Sequence, residues 1–592
     1  MPGEVAGVYS GSTFLMPTAN GDVIPWISAS VPTNDMMIFA YPYNSSDPKL
    51  VNWSWYEANP VIYSPNASSV VPPGRDPTEV WECTSGGHMK LCMAFATQQS
   101  EGCPCSGISG IAVFSATYEP APSSSESTAT PGTWSSWQAE GYLAEDDMGA
   151  VMWECPDLFP LNATGVWLMK YSIGPGPSFD QPWGTVGPRD YYVTGNYNPT
   201  DTSPNSAISF EPDASQWLAA MNRSTLMSLD VGAFYASKSY KGQGGGRLLW
   251  GWLPEERQVD AHGNPYGWAG AMSFPREVIP YRDTENSPWY VRTPPLQSAL
   301  EELRVLGSEY EHGEVLVDGS TNESSTAFVT LPVSTSGSQL ELLAYISVTN
   351  MSIGDVCGLR VLSSVSLPSG SSSDIDGKTA DGNWDYEYTD IGILFTDEHG
   401  STAAGEGAEA VGAVMYVDPA RACSNMSSSV NRTQSSSYVM NVSSEQSYYV
   451  NYNNGGVELH VIIDHSIIEA FAAQGIRAAT RRVYPSDPNS AVNVQLFGSC
   501  GSSSSCQCKF SSIWSSNLRA ANITVADYSA QVEDSAKQKS SNNDNKLSES
   551  ELAAVISLSI VFCIGAILCS VYLFYSYRKR AGGDESPLAS KL

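Results

Sequence analysis

Positive charge is scarce in this chain: 30 Lys and Arg face 62 Asp and Glu among 592 residues, a formal charge of −32. Such a surface repels phosphate backbones, which excludes nucleic acid as a partner. It suits a neutral ligand and a mildly acidic working pH. Histidine is scarcer still, with six residues, none at ligand spacing from the close pairs Cys103-Pro104-Cys105 and Cys506-Gln507-Cys508. That weighs against zinc and for disulfides, since ten of the twelve cysteines precede residue 510. Cys357 and Cys423 are a further candidate pair. No metal and no cofactor is expected.

Helical periodicity is also nearly absent. Only Leu296 to Leu306 reads as a helix. Elsewhere short alternating runs, such as Gly165 to Tyr171 and Val457 to Ile463, recur between Gly, Pro, Asn and Asp turns. The pattern predicts two β domains joined near residue 300, each a propeller or a sandwich. The start, Met1-Pro2-Gly3-Glu4-Val5, has neither the basic nor the apolar region of a signal peptide, so the expectation is that the true N-terminus lies upstream.

Long apolar runs are missing with one exception. Leu552 to Tyr575 carries no charge and, at about 1.5 Å per residue, is long enough to cross a bilayer core of about 30 Å. Arg578-Lys579-Arg580 follows and predicts a cytoplasmic tail. Residues 1–526 would then lie outside the cell or in the vacuolar lumen, as a single-pass type I membrane protein. Eleven Asn-X-Ser/Thr sequons, from Asn44 to Asn522, agree with that side of the membrane. Gln531 to Glu551 has almost no large apolar residue and reads as a disordered stalk.

What is abundant is aromatic: 30 Tyr and 16 Trp. One of these rings opens the segment Trp153-Glu154-Cys155-Pro156-Asp157. A carboxyl between a Trp and a Cys sits in a poorly hydrated setting, which disfavours its charged form and suits a proton donor. A surface Glu in a loop accounts for the motif alone about equally well. Arg75-Asp76-Pro77 is an ion pair before a Pro turn, and taken alone reads as a structural turn.

The ordered series changes those odds. Gly7-Val8-Tyr9-Ser10-Gly11-Ser12-Thr13 precedes Arg75-Asp76-Pro77 and Trp153 to Asp157. Asp190-Tyr191-Tyr192-Val193-Thr194-Gly195 and Asp230-Val231-Gly232-Ala233-Phe234-Tyr235-Ala236-Ser237-Lys238 follow, then Leu249-Trp250-Gly251-Trp252 and Gly267 to Arg276. Asp464-His465-Ser466-Ile467-Ile468-Glu469-Ala470-Phe471 and Arg482-Val483-Tyr484-Pro485 close the series. From about residue 4 to 525 this resembles glycoside hydrolase family 32, the acid invertases and fructan-active enzymes.

The resemblance implies an all-β fold. A five-bladed β-propeller, its first blade largely missing, would fill residues 1–292. A linker (293–308) and a β-sandwich (309–526) would follow, then the stalk (527–551), the transmembrane helix (552–575) and a cytoplasmic tail (576–592). It implies a sucrose or fructan substrate. Glu154 would be the general acid/base, and Asp76 the transition-state stabiliser oriented by Arg75. Tyr9 and Ser10 would line the fructose site and Asp230 would contact substrate. The reaction would be a retaining one, with two carboxylates about 5 Å apart.

The chain departs from the family in two places. The family's nucleophilic Asp lies in a Trp-Met-Asn-Asp-Pro-Asn-Gly-like motif upstream of the Val-Tyr-Ser-Gly-Ser segment, and no such motif occurs here. The expectation is that the polypeptide is inactive as it stands. Ala233 also occupies a place where plant-type members often carry a Lys that holds the leaving sugar. Pro156 resembles the cell-wall rather than the vacuolar plant type. A non-catalytic, membrane-tethered fructoside-binding protein and a fructosyltransferase are the alternatives. An arabinanase-like or levansucrase-like enzyme fits poorly with the downstream Asp464-His465-Ser466 region.

Overall fold

Alternating hydrophobic positions between turn residues do become strands throughout. The computed structural model describes residues 8–520, except 19–22, 32–35, 45–49, 51, 64–73, 86–87, 98–108, 122–130, 147–152, 174–188, 202–205, 222–226, 243–244, 256–267, 269, 283, 319–325, 333–334, 348–350, 364–386, 397–411, 422–437, 442–455, 486–492 and 501–506. The stalk, the apolar run 552–575, the tail and Cys103, Cys105 and Cys423 lie outside the described residues. No described helix is long and apolar enough to cross a membrane.

Among the described residues four larger antiparallel sheets come first, each winding strand by strand from one edge to the other, together with a two-stranded one of Tyr118–Glu119 and Thr133–Trp134. The first runs from Gly11–Pro17 through Val23–Val31 and Met36–Pro42 to Trp53–Trp55. In the second, Gly74–Arg75 and Gln138–Asp146 are the two edges. The third runs from Trp153–Pro160 to Glu211–Pro212, and the fourth from Tyr235–Lys241 to Tyr290–Arg292. This edge-to-edge winding is the blade pattern of a propeller. The segment before Gly11, and Arg75, Glu154 and Tyr235, all lie on or beside the first strands of these sheets.

The strands after residue 310 form a seven-stranded and a six-stranded sheet around one apolar core that includes Leu340, Leu342, Leu359, Ile391, Val461 and Leu496. The core packs the inward alternate positions of both sheets, as a β-sandwich requires. A disulfide joins the two sheets, from Cys357 in strand Val356–Ser363 to Cys508 in strand Gln507–Asn517. Cys357 is therefore not paired with Cys423, as the sequence suggested. Register decides it: Cys357 lies opposite Gly498, whose missing side chain leaves room for the Cys508 sulfur. The bridge spans 151 residues, and closing a loop of that length in the unfolded chain implies a loss of about 2–5 kcal/mol on removal. Cys357→Ser, compared with the parent by urea unfolding, is expected to show it as a lower midpoint.

Two helices differ from expectation. The helix near residue 300 is Gln297–Leu303 and is firmly docked. Its Leu300 is fully buried against Ile462, Phe471 and Ala478, and Arg304 just beyond it forks onto Glu341 at 2.8 Å through both nitrogens. A second helix, Ala214–Met221, was not expected from the sequence. Its signal was local: Asp213 accepts from the backbone N–H of Ser215 and Gln216 at 3.0 and 3.1 Å, an N-cap.

Candidate active site

Three residues held at positive φ build this site. Asp76 (φ 61°), Cys155 (φ 46°) and Ala236 (φ 51°) are non-glycine residues in the left-handed region, which side chains rarely adopt. Cys155 and Ala236 sit in register breaks, between Glu154 and Asp157 and between Tyr235 and Lys238. Such bulges re-aim the neighbouring side chain. Strain of this kind persists only where surrounding contacts over-determine it, and here they do. Cys155 N–H donates to Asp76 Oδ2 at 3.1 Å, and Ala236 and Ser237 N–H donate to Asp190 at 3.1 and 2.7 Å.

Glu154 is the convergence point. The Arg75 guanidinium donates to its Oε1 and the Tyr235 hydroxyl to its Oε2. Its side chain keeps 17% of its surface exposed, so the carboxyl is reachable from solvent. The strand beneath is anchored by Trp153, fully buried and stacked on Tyr171 at 3.9 Å between ring centroids. Burial pushes the Glu154 carboxyl above its usual range. The Arg75 charge opposes that shift without cancelling it, and Asp76 and Asp190 add to it.

Asp76 lies beside it. Its carboxylate sits 3.7 Å from Arg75 Nε, and its N–H donates to Ser30 Oγ at 3.1 Å. Burial raises this carboxyl too. Ser30 Oγ also reaches Ser10 O at 3.5 Å, and Tyr9 N–H donates to Ser30 O at 2.8 Å. The half-exposed Tyr9 ring faces Arg75, whose guanidinium carbon is 5.8 Å from its centroid. At Gly11, just beyond, no side chain fits, since a Cβ there would stand 1.8 Å from Ser28 O. Tyr9, Ser10, Arg75, Asp76 and Glu154 are thus brought together by strands from three sheets.

Asp230 is not with them. Its side chain has no exposed surface and is consumed by Arg276 Nη2 at 2.9 Å, Thr480 Oγ1 at 2.7 Å and the N–H groups of Gly232 and Thr480. This corrects the expected substrate contact. The backbone of residues 231–233 pairs with the sandwich strand Arg477–Arg482, through Val231 N–H to Ala478 O and Ala233 N–H to Thr480 O. That pairing turns Asp230 into the seam between propeller and sandwich, and it buries Ala233 completely.

Three residues to which the sequence alone gave no role support the site. Tyr235 holds Glu154 directly. Asp190 pins the bulge at Ala236 and lies 3.6 Å from the buried Lys170. Lys238 ties together the two carboxylate-bearing segments, donating to Pro77 O at 3.3 Å and Pro156 O at 2.7 Å while pairing with Asp157 at 3.0 Å. In a chain so poor in cations, a Lys inside a Tyr-Ala-Ser-Lys strand start was the available signal. Among the described residues no cluster of three or more His, Cys, Asp or Glu side chains could hold a metal ion.

The sequence matches the glycosyl hydrolases family 32 N-terminal domain over residues 132–287 and the family's C-terminal domain over residues 299–514. The chain belongs to glycosyl hydrolase family 32. An acid β-fructofuranosidase of Vigna radiata var. radiata is 26% identical over 505 residues, covering 81% of this chain and 64% of that protein. The chain thus spans less than two thirds of that relative's length. A fructan 6-exohydrolase of Beta vulgaris is 26% identical over 513 residues, covering 82% of this chain and 70% of that protein. Among solved structures, fructan 1-exohydrolase IIa from Cichorium intybus superposes with a TM-score of 0.57 at 21% identity, over 88% of this chain and 86% of its own. A variant of that enzyme was solved in complex with 1-kestose, and matches with a TM-score of 0.56 at 20% identity over 87% of this chain and 84% of its own. These likenesses show the fold of the family 32 chain.

The carboxyl groups also set how stability varies with pH. Burial raises Asp76, Glu79, Glu154 and Glu469. Glu469 is fully buried, and desolvation outweighs the Arg276 charge beside it. A carboxyl raised in the folded state stabilises the fold fully below its unfolded value, and that contribution is lost as pH climbs through the folded one. Asp157 and Glu341 run the other way. Burial would raise them, but Lys238, Lys170 and Arg247 outweigh it at Asp157, and Arg304 and His460 at Glu341. Their contribution is present above the ordinary carboxylate range and fades as pH falls through their lowered values. The melting temperature is therefore expected to rise as pH drops from about 7.5 to about 5, then fall below about 4. Calorimetric scans across that range check it, and a flat or steadily rising profile toward neutral pH would contradict it.

Proposed function

We propose that the fold acts on terminal β-fructofuranosyl bonds of sucrose or fructans. The observation that carries this reading is the solvent-reachable Glu154 carboxyl, raised by burial, gripped by Arg75 and Tyr235, and set beside the buried Asp76. The names of the relatives and the 1-kestose complex support the substrate class. Glu154 gives its proton to the glycosidic oxygen as the bond to the fructosyl carbon breaks. Asp76 accepts hydrogen bonds from fructosyl hydroxyls. Deprotonated Glu154 then takes a proton from the water that releases fructose. The carbon itself passes to a carboxylate nucleophile, the retaining course.

Among the described carboxylates, Asp76 and Asp190 contribute most to raising Glu154. Asp190 is committed to two backbone N–H groups and has no exposed side-chain surface. Asp76 is the stabiliser in this reading. Neither is the nucleophile in this reading, and because no Asn-Asp-Pro motif occurs in the sequence the polypeptide is expected to bind fructosides without hydrolysing them. That observation favours a second reading, a tethered fructoside-binding protein. Reducing-sugar assays on sucrose and inulin test the expectation. Turnover that disappears in Glu154→Gln would show that a carboxylate of this chain serves as nucleophile. Sequons through Asn522 and the apolar run 552–575 support a single-pass anchor, with the folded part extracellular or in the vacuolar lumen.

A further inference from the structure

Two sequons lie wholly within the described residues, Asn52-Trp53-Ser54 and Asn162-Ala163-Thr164. Their surroundings differ. Asn162 sits in the turn between strands Trp153–Pro160 and Trp167–Ile173, where its side-chain amide donates to Gly245 O at 2.5 Å. Asn52 stands exposed just before Trp53–Trp55, the edge strand of the first sheet.

Register puts an aromatic ring beside Asn52. Strand Met36–Pro42 pairs with Trp53–Trp55 so that Tyr41 lies opposite Ser54 and Pro42 opposite Trp53. The Tyr43 N–H then donates to Asn52 O at 2.9 Å, which carries the ladder one step further and sets Tyr43 opposite Asn52. Directly opposed side chains leave an antiparallel pair on the same face, with Cβ atoms about 5 Å apart. The Tyr43 ring is 73% exposed, so the fold leaves its face uncovered. The strand itself is a liability. It is an edge with unpaired backbone groups, and its Trp55 is 42% exposed. An exposed apolar edge invites pairing with another chain.

We propose that Asn52 carries an N-linked glycan whose first sugar lies on the Tyr43 ring. The donor is a polyprenyl-diphosphate-linked oligosaccharide. The Asn52 side-chain nitrogen forms a bond to the anomeric carbon of its first sugar. The bond from that carbon to the diphosphate oxygen breaks, the polyprenyl diphosphate leaves, and the amide proton passes to a base of the transferring enzyme. The C–H face of a sugar on Asn52 reaches the Tyr43 ring, whose electron-rich face attracts it. The bulky, hydrated glycan also screens the Trp53–Trp55 edge from a second chain. The inference rests on the reading that the folded part is extracellular or lumenal. It does not depend on which bond Glu154 acts upon.

The test uses the full chain made in a eukaryotic secretory host. A peptide N-glycosidase in heavy-oxygen water leaves a labelled Asp wherever an Asn carried a glycan, and peptide mass mapping is expected to mark Asn52. Release from the folded protein is then timed sequon by sequon. Tyr43→Ala should speed release at Asn52 about two- to tenfold, since the stacked sugar is freed. Tyr43→Phe keeps the ring and should leave release slow. Unchanged release at the other occupied sequons is the folding control. Labels elsewhere but not at Asn52 overturn this proposal alone. Labels at no sequon overturn it together with the location it rests on. Equal release from the parent and Tyr43→Ala overturns the seat on the ring.

Discussion

Glu154→Gln is expected to lower fructoside turnover by about 10²- to 10⁴-fold, the usual worth of a positioned proton donor. The measurement compares the variant with the parent on the same fructoside, under conditions where turnover by the parent is detectable. Gln keeps the shape and can still meet Arg75 and Tyr235, so the loss reports proton transfer rather than collapse of the site. The role is separable from mere positioning by choice of leaving group. An aryl fructoside needs little protonation to depart, so its first step should suffer far less than that of sucrose. Azide needs no general base, so adding it should restore the second step and yield fructosyl azide. Equal losses on both substrates, with no rescue, would remove Glu154 from its assigned role.

Arg276→Met is expected to cost about 3–5 kcal/mol of stability, because it strands buried carboxylates. Arg276 is fully buried between the Phe234 and Phe471 rings, with its charge centre 4.3 and 4.8 Å from their centroids. Its Nη2 reaches Asp230, Glu469 and Thr480 at 2.9, 2.8 and 2.7 Å. Removing the cation leaves two acids facing each other in an apolar seam. Arg276→Lys should recover only part of the loss, since an ammonium has no flat face to lie between the two rings. Adding Asp230→Asn and Glu469→Gln to Arg276→Met should recover more, because the penalty lies in unpaired charge. Gly232 belongs to the same seam, where a Cβ would stand 1.9 Å from Thr480 O. Denaturant unfolding decides it, and a change under about 1 kcal/mol for Arg276→Met would show that the seam does not rest on this cation.

The two predictions divide the molecule as legibility does. Glu154, Asp76 and Arg75 were singled out by the ordered series of motifs rather than by any one motif, and the structure sets the three side by side. The bulge at Cys155 and the turn at Asp76 are local events, so their residues travel together along the chain. The all-β character was legible for the same reason, since strand periodicity is a property of a few consecutive residues. The helix Ala214–Met221 was missed although its Asp213 cap was visible, because eight residues give too little periodicity to outweigh the surrounding strands.

By itself, then, the sequence determined the strand character, the acidic surface and the local pieces of the carboxylate site. The tertiary structure alone decided which pieces meet. Asp230 and Glu154 look alike in sequence, each an acid at the head of a motif. Contacts with Thr480, 250 positions away, commit Asp230 to a dry seam, while Arg75 and Tyr235, 79 and 81 positions away, hold Glu154 at a surface that solvent reaches. Cys357 found Cys508 rather than Cys423 by the same cause. Burial and pairing across such separations depend on how sheets stack, and no short stretch of residues encodes that.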